Sequence, residues 1–591
     1  MPAYSAPVTD MLYVLGELLS VESVLSELPG HADASLPLMG EVLREAARFC
    51  SEIVFPLNRL GDQEGCTLDN GVVRTPKGFP EAYAAFVASG WAGLSHDANH
   101  GGQGLPRALQ VLFDEMLSSA NFSFGLVTSL TCAAVKAISA HAGADLQAVY
   151  LPRMVSGEWT GAMALTEAHA GTDLGLLRSK AEAAADGSYR VTGTKMFITA
   201  ADHDMAENII HLVLARLPDA PPGIKGLSLF LVPKYLPGKD APVGLRNSVI
   251  TGSLEHKMGI KASPTCVMNY DGATGWLVGQ PHRGLQAMFT MMNAERLFVG
   301  IQGLGIAVAA YQGASAYARE RLQGRAPGVA DGPPASILVH PDVRRMLLTI
   351  RAFTEGGRAL AVWLALEMDK AALHPDTSVR SAADGLAALL TPVIKAAFTD
   401  MGFESAVLGQ QVLGGHGYIC EWGMEQLVRD ARIAQIYEGT NGVQALDLVG
   451  RKLVLEDGAL PGQFFALVRA TITDGAGIPG ATEFTLPLAA ALDRLEAATV
   501  RLVNRMRRDP AEAGAASVDY LRFMALVALG WMWTRMALFA LTRGAAMEDH
   551  HRSKLSVARF FMARLLPQTL ALDASVDAGA ASLMAMTQDE F

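Results

Sequence analysis

The sequence predicts a mostly α protein with one inserted β unit. Three observations carry this. From Leu38 to about Ser156, and again from about Leu285 onward, apolar residues recur at helical spacing. Between roughly 160 and 280 the texture changes to short β-rich segments separated by Gly, Pro, Asp and Asn, as strands of an antiparallel sheet are. Half of the 591 residues are hydrophobic and only 18% are charged, which supplies several buried cores and leaves little room for disorder.

The elements follow in order. DMLYVLGELLSVESVLSEL (10–28) has helical spacing and an Asp at its start. MGEVLREAARFCSEIVFPL and GLPRALQVLFDEMLSSA continue the helical pattern, joined by the glycine-rich loop WAGLSHDANHGGQGLP. Strands are expected at 189–200, 208–217, 227–236, 264–270 and 275–280. A long helix runs through MFTMMNAERLFVGIQGLGIAVAAYQGASAYARER, and a Gly/Pro loop follows at 324–336. Further helices are expected at 341–372, at 380–413 and around 425–453. Gly458, Pro461 and Gly462 mark a boundary before a last helical unit. The domains expected are an N-terminal extension (1–36), a helical domain (37–159), a β domain (160–282), a helical bundle (283–455) and an additional helical domain (463–591).

Composition excludes several function classes. A net charge of −11 argues against a nucleic-acid partner, which needs clustered Lys and Arg. Five scattered cysteines without a CxxC form neither a disulfide framework nor a zinc site, and no metal is expected. They suit a reducing compartment. No Lys or Arg precedes Arg44, so a secretory signal is not expected. Leu297–Ala318 and Phe523–Thr534 are apolar, but the first carries Gln302, Gln312 and glycines and the second is too short to span a bilayer. Both read as buried helices. Trp531, Trp533, Arg535 and Arg543 also suit an amphipathic membrane-docking surface, with core packing the expected use.

Three segments could carry chemistry. In ALTEAHAGTDLGLLRSKA (164–181), Thr166, Thr172, Gly171 and Gly175 offer hydroxyls and exposed backbone N–H groups, although a polar connecting loop has the same composition. In GTKMFITAADHD (193–204), Phe197, Ile198 and Thr199 could face a flat cofactor or leave the aromatic in the core. In the third (409–442), Gly414, Gly415 and Gly417 permit close approach of backbone, or simply end a helix. That segment ends on QIYEGTNG, where Glu438 stands beside Gly439; a carboxylate there is either a base in a tight, dry turn or a helix-terminal acid.

The order of these segments closely resembles the acyl-CoA dehydrogenases, flavoproteins that desaturate acyl-CoA thioesters between Cα and Cβ. The resemblance covers roughly residues 40–452. It implies an acyl-CoA dehydrogenase-like fold: an N-terminal helical domain, a middle β-barrel-like domain and a C-terminal four-helix bundle, here with an additional helical domain. ALTEAHAGTD is similar to the family's ALTEPGAGSD, which puts Met163, Leu165, Thr166, Gly171 and Thr172 at FAD, with Thr172 also at the substrate. Phe197-Ile198-Thr199 matches the family's Trp-Ile-Thr at the flavin ring. Arg321, Gln323, Gln411, Gly414 and Gly415 fall where the family contacts FAD from the neighbouring subunit. RDARIAQIYEGTN puts the catalytic base on Glu438, Thr440 and Asn441 at the cofactor, and Gly439 where it leaves room for the thioester. Asn293 and Arg296 correspond to substrate contacts, Arg296 to the CoA portion. Glu295 is a rival base, since some members carry theirs there; the intact motif around Glu438 favours the latter. Ala168-His169 in place of Pro-Gly, and Gly324 in place of an aromatic, depart from the pattern.

The extra N-terminal helix and the unit after 463 resemble the longer subgroup, which includes the methylmercaptopropionyl-CoA dehydrogenases and some bacterial fatty acyl-CoA dehydrogenases. The resemblance implies a cytoplasmic homodimer acting in fatty acid β-oxidation, with electron-transferring flavoprotein as acceptor. Related proteins with added C-terminal domains use them for membrane docking, so membrane association through 463–591 is compatible with the resemblance but not expected. Glu438, enclosed by Ile436, Tyr437 and the acyl chain, would have its pKa raised toward neutrality and suit α-proton removal. An acyl-CoA oxidase shares most of these motifs, and a non-catalytic flavin- or acyl-CoA-binding protein is the contrasting class. Packing rather than motif sets the acyl chain, so short, long, branched and thioether-containing groups are all compatible.

Overall fold

The computed structural model describes residues 4–238, 241 and 243–591. The chain sorts into two units, Arg48–Leu105 with Ala120–Phe298, and Met1–Ala47 with Pro106–Ser119 and Val299–Phe591.

The first unit is built on a seven-stranded sheet. Tyr189–Thr199 pairs antiparallel with Lys180–Ala183 on one side and Thr265–Val278 on the other. Thr265–Val278 also pairs with Val249–Leu254 and, at Trp276–Val278, with Leu227–Pro233. Leu227–Pro233 lies against Asn208–Arg216, and a bridge from Lys180 to Arg216 closes the ring. The sheet is therefore barrel-like, filled by Val191, Ile198, Val213, Phe230, Val232 and Met268.

Three features differ from the sequence reading, each for a physical reason. The segments 264–270 and 275–280 are one strand, Thr265–Val278; the Asp271-Gly272 pair is a bulge where the register shifts and the strand bends, not a turn. Trp159–Ala164 joins the sheet parallel to Asn208–Arg216, so the sheet is not wholly antiparallel. It is buried almost throughout and therefore lacks the alternation that marks a half-exposed strand. Within the region read as helical, Thr67–Asp69 and Val72–Arg74 form a hairpin about Asn70-Gly71, both at positive φ.

The second unit is helical. Pro341–Leu373 and Thr377–Leu413 pack side by side. The helix Gly284–Glu320 contributes its part beyond Val299. Ala511–Thr542 packs on both of the paired helices and on Asn441–Asp447, so the C-terminal helices share one core with the bundle. Trp533 is fully buried with its indole N–H donated to the Ala352 carbonyl at 3.0 Å. Trp531 stacks edge-on against Trp363 at 4.9 Å. These two indoles fill the core and are not available to a membrane surface. Phe523–Thr534 lies inside this longer helix rather than forming a short segment of its own. Among the described residues, four helices are long and apolar enough to cross a membrane, yet 83–89% of each apolar window is buried within the protein.

The N-terminal stretch is not one helix starting at Asp10. It runs Val8–Leu12, widens to a π-turn at Tyr13–Leu18, and breaks at Ser20 (φ +48°) before Val21–Ser26. Asp10 lies inside the first of these, and its carboxylate accepts from Arg358 and Lys554. Arg358 also donates through Nε to Glu115 at 2.9 Å, and Lys554 to Glu355 at 2.7 Å. Each charge in this buried network has an opposite partner, as its desolvation requires. Glu17, His550 and His551 also come within ligand distance of one another. His551 Nδ1 accepts the Glu548 N–H at 3.1 Å, so its proton sits on Nε2 and is donated to Glu17 at 3.0 Å. This is a helix cap bonded to a carboxylate, and the proton occupies the position a metal would need.

Candidate active site

The helix expected around 425–453 is broken. Met424–Ala434 ends, and Asn441–Asp447 begins with Thr440 Oγ1 accepting the Val443 N–H at 3.2 Å. Between them Glu438 and Gly439 are consecutive left-handed residues, φ +57° and +81°. For glutamate this conformation costs on the order of 1–3 kcal/mol, so surrounding groups must impose it. Gln444 Nε2 donates to the Glu438 carbonyl at 3.1 Å. Lys395 Nζ donates to the Gly439 carbonyl at 2.8 Å and to Asn441 Oδ1 at 2.9 Å. The Asn441 N–H donates to Gln435 O at 3.1 Å, and the Tyr437 hydroxyl donates to Gln302.

Three sequence expectations change here. Asn441, expected at the cofactor, has its side-chain amide committed inside the bundle: Nδ2 donates to Thr399 Oγ1 at 2.9 Å and Asp400 Oδ1 at 2.8 Å. A Cβ on Gly439 would lie 2.6 Å from Gln444 Nε2, so its glycine is required by φ and by that amide whether or not a thioester lies near. Ile436 is 47% exposed and does not enclose the carboxylate. Lys395, Gln444 and Gln302 were missed. Their signal was a polar residue inside an otherwise apolar helical run, as in LLTPVIKAAF. Arg429 pairs with Glu425 at 2.6 Å, and Asp430 accepts from Gln426 Nε2 at 3.2 Å.

In the β unit the segment Leu165–Glu167 is laced to the strand Tyr189–Thr199. Lys195 Nζ donates to Leu165 O and Glu167 Oε1, both at 2.9 Å, and the Met196 N–H donates to Thr166 O at 2.9 Å. Glu167 also accepts from the Ser179 hydroxyl and from the Arg178 and Ser179 N–H groups. Burial pushes the Lys195 ammonium down to about 8, with Glu167 pulling the other way. Burial raises the Glu167 carboxyl, but Lys195 and these hydrogen bonds outweigh it and hold it at about 2. Beyond this clamp Phe197 sits at φ +61° and is 59% exposed, ring outward, with Ile198 buried beneath and Thr199 half-buried. Met163 and Thr166 are half-buried, Leu165 is buried, and Gly171 and Thr172 are exposed. Asn293 is exposed and accepts from Arg296 Nη1 at 3.2 Å; the Arg296 guanidinium lies over the Phe289 ring. Glu295 is 2% exposed, 3.4 Å from the Ser129 hydroxyl.

In the helical unit Arg321, Gln323, Gln411, Gly414 and Gly415, drawn from two distant stretches, line one cavity of about 510 Å³. Open space lies where side chains on Gly414 and Gly415 would be. Beside it His416 stacks on Trp422 at 4.4 Å and shares a hydrogen bond with Tyr317 at 3.0 Å.

Known proteins are similar to this chain in sequence and in fold. Family models described as the N-terminal, middle and C-terminal domains of acyl-CoA dehydrogenase match residues 41–158, 162–273 and 282–453. One described as acetyl-CoA dehydrogenase C-terminal like matches 464–587. A 3-methylmercaptopropionyl-CoA dehydrogenase from Ruegeria pomeroyi is 43% identical over 95% of this chain and 96% of its own. The chain belongs to the acyl-CoA dehydrogenase family. A broad-specificity linear acyl-CoA dehydrogenase, FadE5, from Mycobacterium tuberculosis is 32% identical over 96% of both chains. Among solved structures, Caenorhabditis elegans ACDH-11 in complex with C11-CoA has a TM-score of 0.79 at 19% identity, covering 99% of this chain and 96% of that one. A Bacillus anthracis acyl-CoA dehydrogenase complexed with FAD has a TM-score of 0.74 at 19% identity, covering 93% and 90%.

As an acyl-CoA dehydrogenase the protein is an FAD-dependent oxidoreductase. The residues present fit the cofactor. Phe197 offers an outward aromatic face suited to a flat ring, and the exposed Arg321 and bare Gly414-Gly415 backbone suit a dinucleotide's phosphates.

Proposed function

We propose that this protein oxidises a short, unbranched acyl-CoA to its trans-2-enoyl-CoA, with Glu438 as the base, and that thioether-containing 3-methylmercaptopropionyl-CoA is among its substrates. The left-handed pair Glu438-Gly439 is the observation that carries this, because nothing in an ordinary helix end requires a carboxylate held in that conformation. The chain class is supported by the 43% identity to a dehydrogenase of that thioester and by the linear-chain relative at 32%.

The substrate loses an α-proton to the Glu438 carboxylate and a β-hydrogen as hydride, and the Cα–Cβ double bond forms. Bound FAD supplies the two-electron acceptor. Thr166, Phe197, Ile198 and Thr199 hold the flavin ring, and Arg321, Gln323 and Gln411 to Gly415 hold the cofactor of a second copy in a homodimer. Asn293 and Arg296 bind the CoA portion. Backbone N–H groups at Glu438 stabilise the developing enolate oxygen. Glu295 is the weaker candidate for the base because it is enclosed in its own unit beside Ser129. Electrons pass onward to an electron-transferring flavoprotein, in the cytoplasm.

The test is an anaerobic visible spectrum of the purified holoenzyme with butyryl-, hexanoyl-, palmitoyl-, isobutyryl- and 3-methylmercaptopropionyl-CoA. Bleaching by the short linear and thioether compounds is expected. Bleaching by none of the panel would sink the proposal, and rapid reoxidation in air would make the protein an oxidase.

A further inference from the structure

Glu438 is held in a left-handed conformation that the local sequence does not favour. RDARIAQIYE reads as a continuing helix, and a right-handed Glu438 would be relieved of its strain. In that conformation the Cα–Cβ bond, and the carboxylate with it, would point elsewhere. Something outside the turn holds it.

We infer that Lys395 is the positioning residue of the proposed base, an inference that rests on the reading of Glu438 above. Lys395 rises from the middle of the buried helix Thr377–Leu413 and is 0% exposed. A buried ammonium is retained only where oxygens satisfy it. Two of those oxygens belong to the turn itself, Gly439 O at 2.8 Å and Asn441 Oδ1 at 2.9 Å. Asn441 is tied in turn to the same helix through Ala396, Thr399 and Asp400. The turn is thus anchored to one rigid helix by two charge-assisted hydrogen bonds from the Lys395 ammonium, one of them to its backbone, and by the Asn441 amide.

Peptide planarity converts this anchor into aim. Holding the Gly439 carbonyl fixes the plane of the Gly439–Thr440 peptide, and Gln444 on the Glu438 carbonyl fixes the Glu438–Gly439 plane. With both planes fixed, the φ and ψ of Gly439 have no freedom to relax, and Glu438 must meet the held Glu438–Gly439 plane from the chain that enters it. On the other side, the Tyr437 hydroxyl is held by Gln302. Removing Lys395 frees one plane and lets Glu438 return toward right-handed backbone. Misplacing a base by about 1 Å lowers a rate by up to about 100-fold. Because both of these Lys395 bonds go to the turn, FAD and acyl-CoA binding should survive.

The experiment uses the FAD-loaded enzyme with Lys395→Met and Lys395→Gln. The first removes every donor, and the second keeps a neutral one. A 3-thiaacyl-CoA is added anaerobically, because its enolate gives a long-wavelength band with oxidised flavin and so reports proton removal alone. Bleaching by a true substrate is followed in parallel. The expected result is a loss of about ten-fold or more in enolate band and bleaching rate for Lys395→Met, and a smaller loss for Lys395→Gln. FAD content and acyl-CoA affinity should stay within about two-fold of wild type. An unchanged band and rate in Lys395→Met overturns the inference. So does loss of FAD or of cooperative unfolding in both variants, since Lys395 would then support the whole bundle rather than the turn. Glu438→Gln separates the two readings. If it keeps the band and bleaching, the base lies elsewhere; if it loses both while Lys395→Met loses neither, only the positioning role fails.

Discussion

Gln444 Nε2 occupies the space that a side chain on Gly439 would need. A Cβ there would lie 2.6 Å away, and the same amide bonds the Glu438 carbonyl at 3.1 Å. Gly439→Ala therefore meets two penalties. Left-handed backbone costs alanine about 1–2 kcal/mol. Displacing the fully buried Gln444 amide from its carbonyl costs about 1–3 kcal/mol more. The variant should lose roughly 3 kcal/mol in urea unfolding and most of its bleaching rate. A stable variant with wild-type bleaching would show that the turn tolerates another geometry.

Phe197 is held at φ +61° with its ring 59% exposed, so it gives the core little and pays for strain. Glycine adopts this backbone freely, which recovers about 1 kcal/mol, but loses a similar amount to unfolded-chain entropy. Phe197→Gly should leave the apoprotein's stability within about 1 kcal/mol of wild type. FAD retention on gel filtration should fall about ten-fold, through the lost aromatic face. Unchanged retention would remove Phe197 from the flavin platform.

Helical periodicity made Gly284–Glu320 and Pro341–Leu373 legible, and the β-rich run located the middle unit, because in each the pattern of apolar residues directly reports the buried face. The Glu438 turn was legible as a motif but not as a break in the helix. Its conformation is imposed by Lys395, from an element more than forty residues away, and by Gln444. Trp159–Ala164 was missed because a strand buried on both faces loses its alternation. The Asn70-Gly71 hairpin had its signal in plain view and was submerged in the helical reading around it. Asn441 adjoins the predicted base, and only its hydrogen bonds reveal that it turns inward.

Arg358 anchors the N-terminal segment through Asp10 while pairing with the fully buried Glu115. Arg358→Met would leave that carboxylate buried without its guanidinium, whereas Asp10 would keep Lys554. Removing one partner of a buried pair costs about 3–5 kcal/mol, but replacing both by apolar residues is often near neutral. The single variant should therefore unfold at markedly lower urea, and Arg358→Met with Glu115→Met should recover more than half of the loss. Additive losses in the double variant would instead assign the stability to packing by the two side chains.

The β unit should weaken in mild acid because of two buried histidines. His203 accepts the Met205 N–H on Nδ1 and shares a hydrogen bond with Thr160 at 3.0 Å. His211 donates through Nε2 to Ala201 O at 2.7 Å, which leaves Nδ1 to accept from the Tyr270 hydroxyl. Burial pushes both imidazoles down to about 4, aided at each by the charge of Lys234 and opposed by Asp202, with Asp204 also opposing at His203. The unfolded chain takes up these protons near 6.5 and the folded one does not until about 4, so stability falls as pH drops through that window. Each histidine contributes a loss of about 3 kcal/mol across the full interval, while above 6.5 it contributes no slope. Urea midpoints of the holoenzyme should change only slightly from about pH 8 to 7, where Lys195, at about 8 in the folded chain, gives a shallow slope, and then decline toward 4.5. His211→Asn should start lower at neutral pH, because it loses hydrogen bonds, but decline less steeply. A decline confined to pH below about 4 would trace to carboxylates such as Glu167, held near 2, and would rule out the histidines as its source.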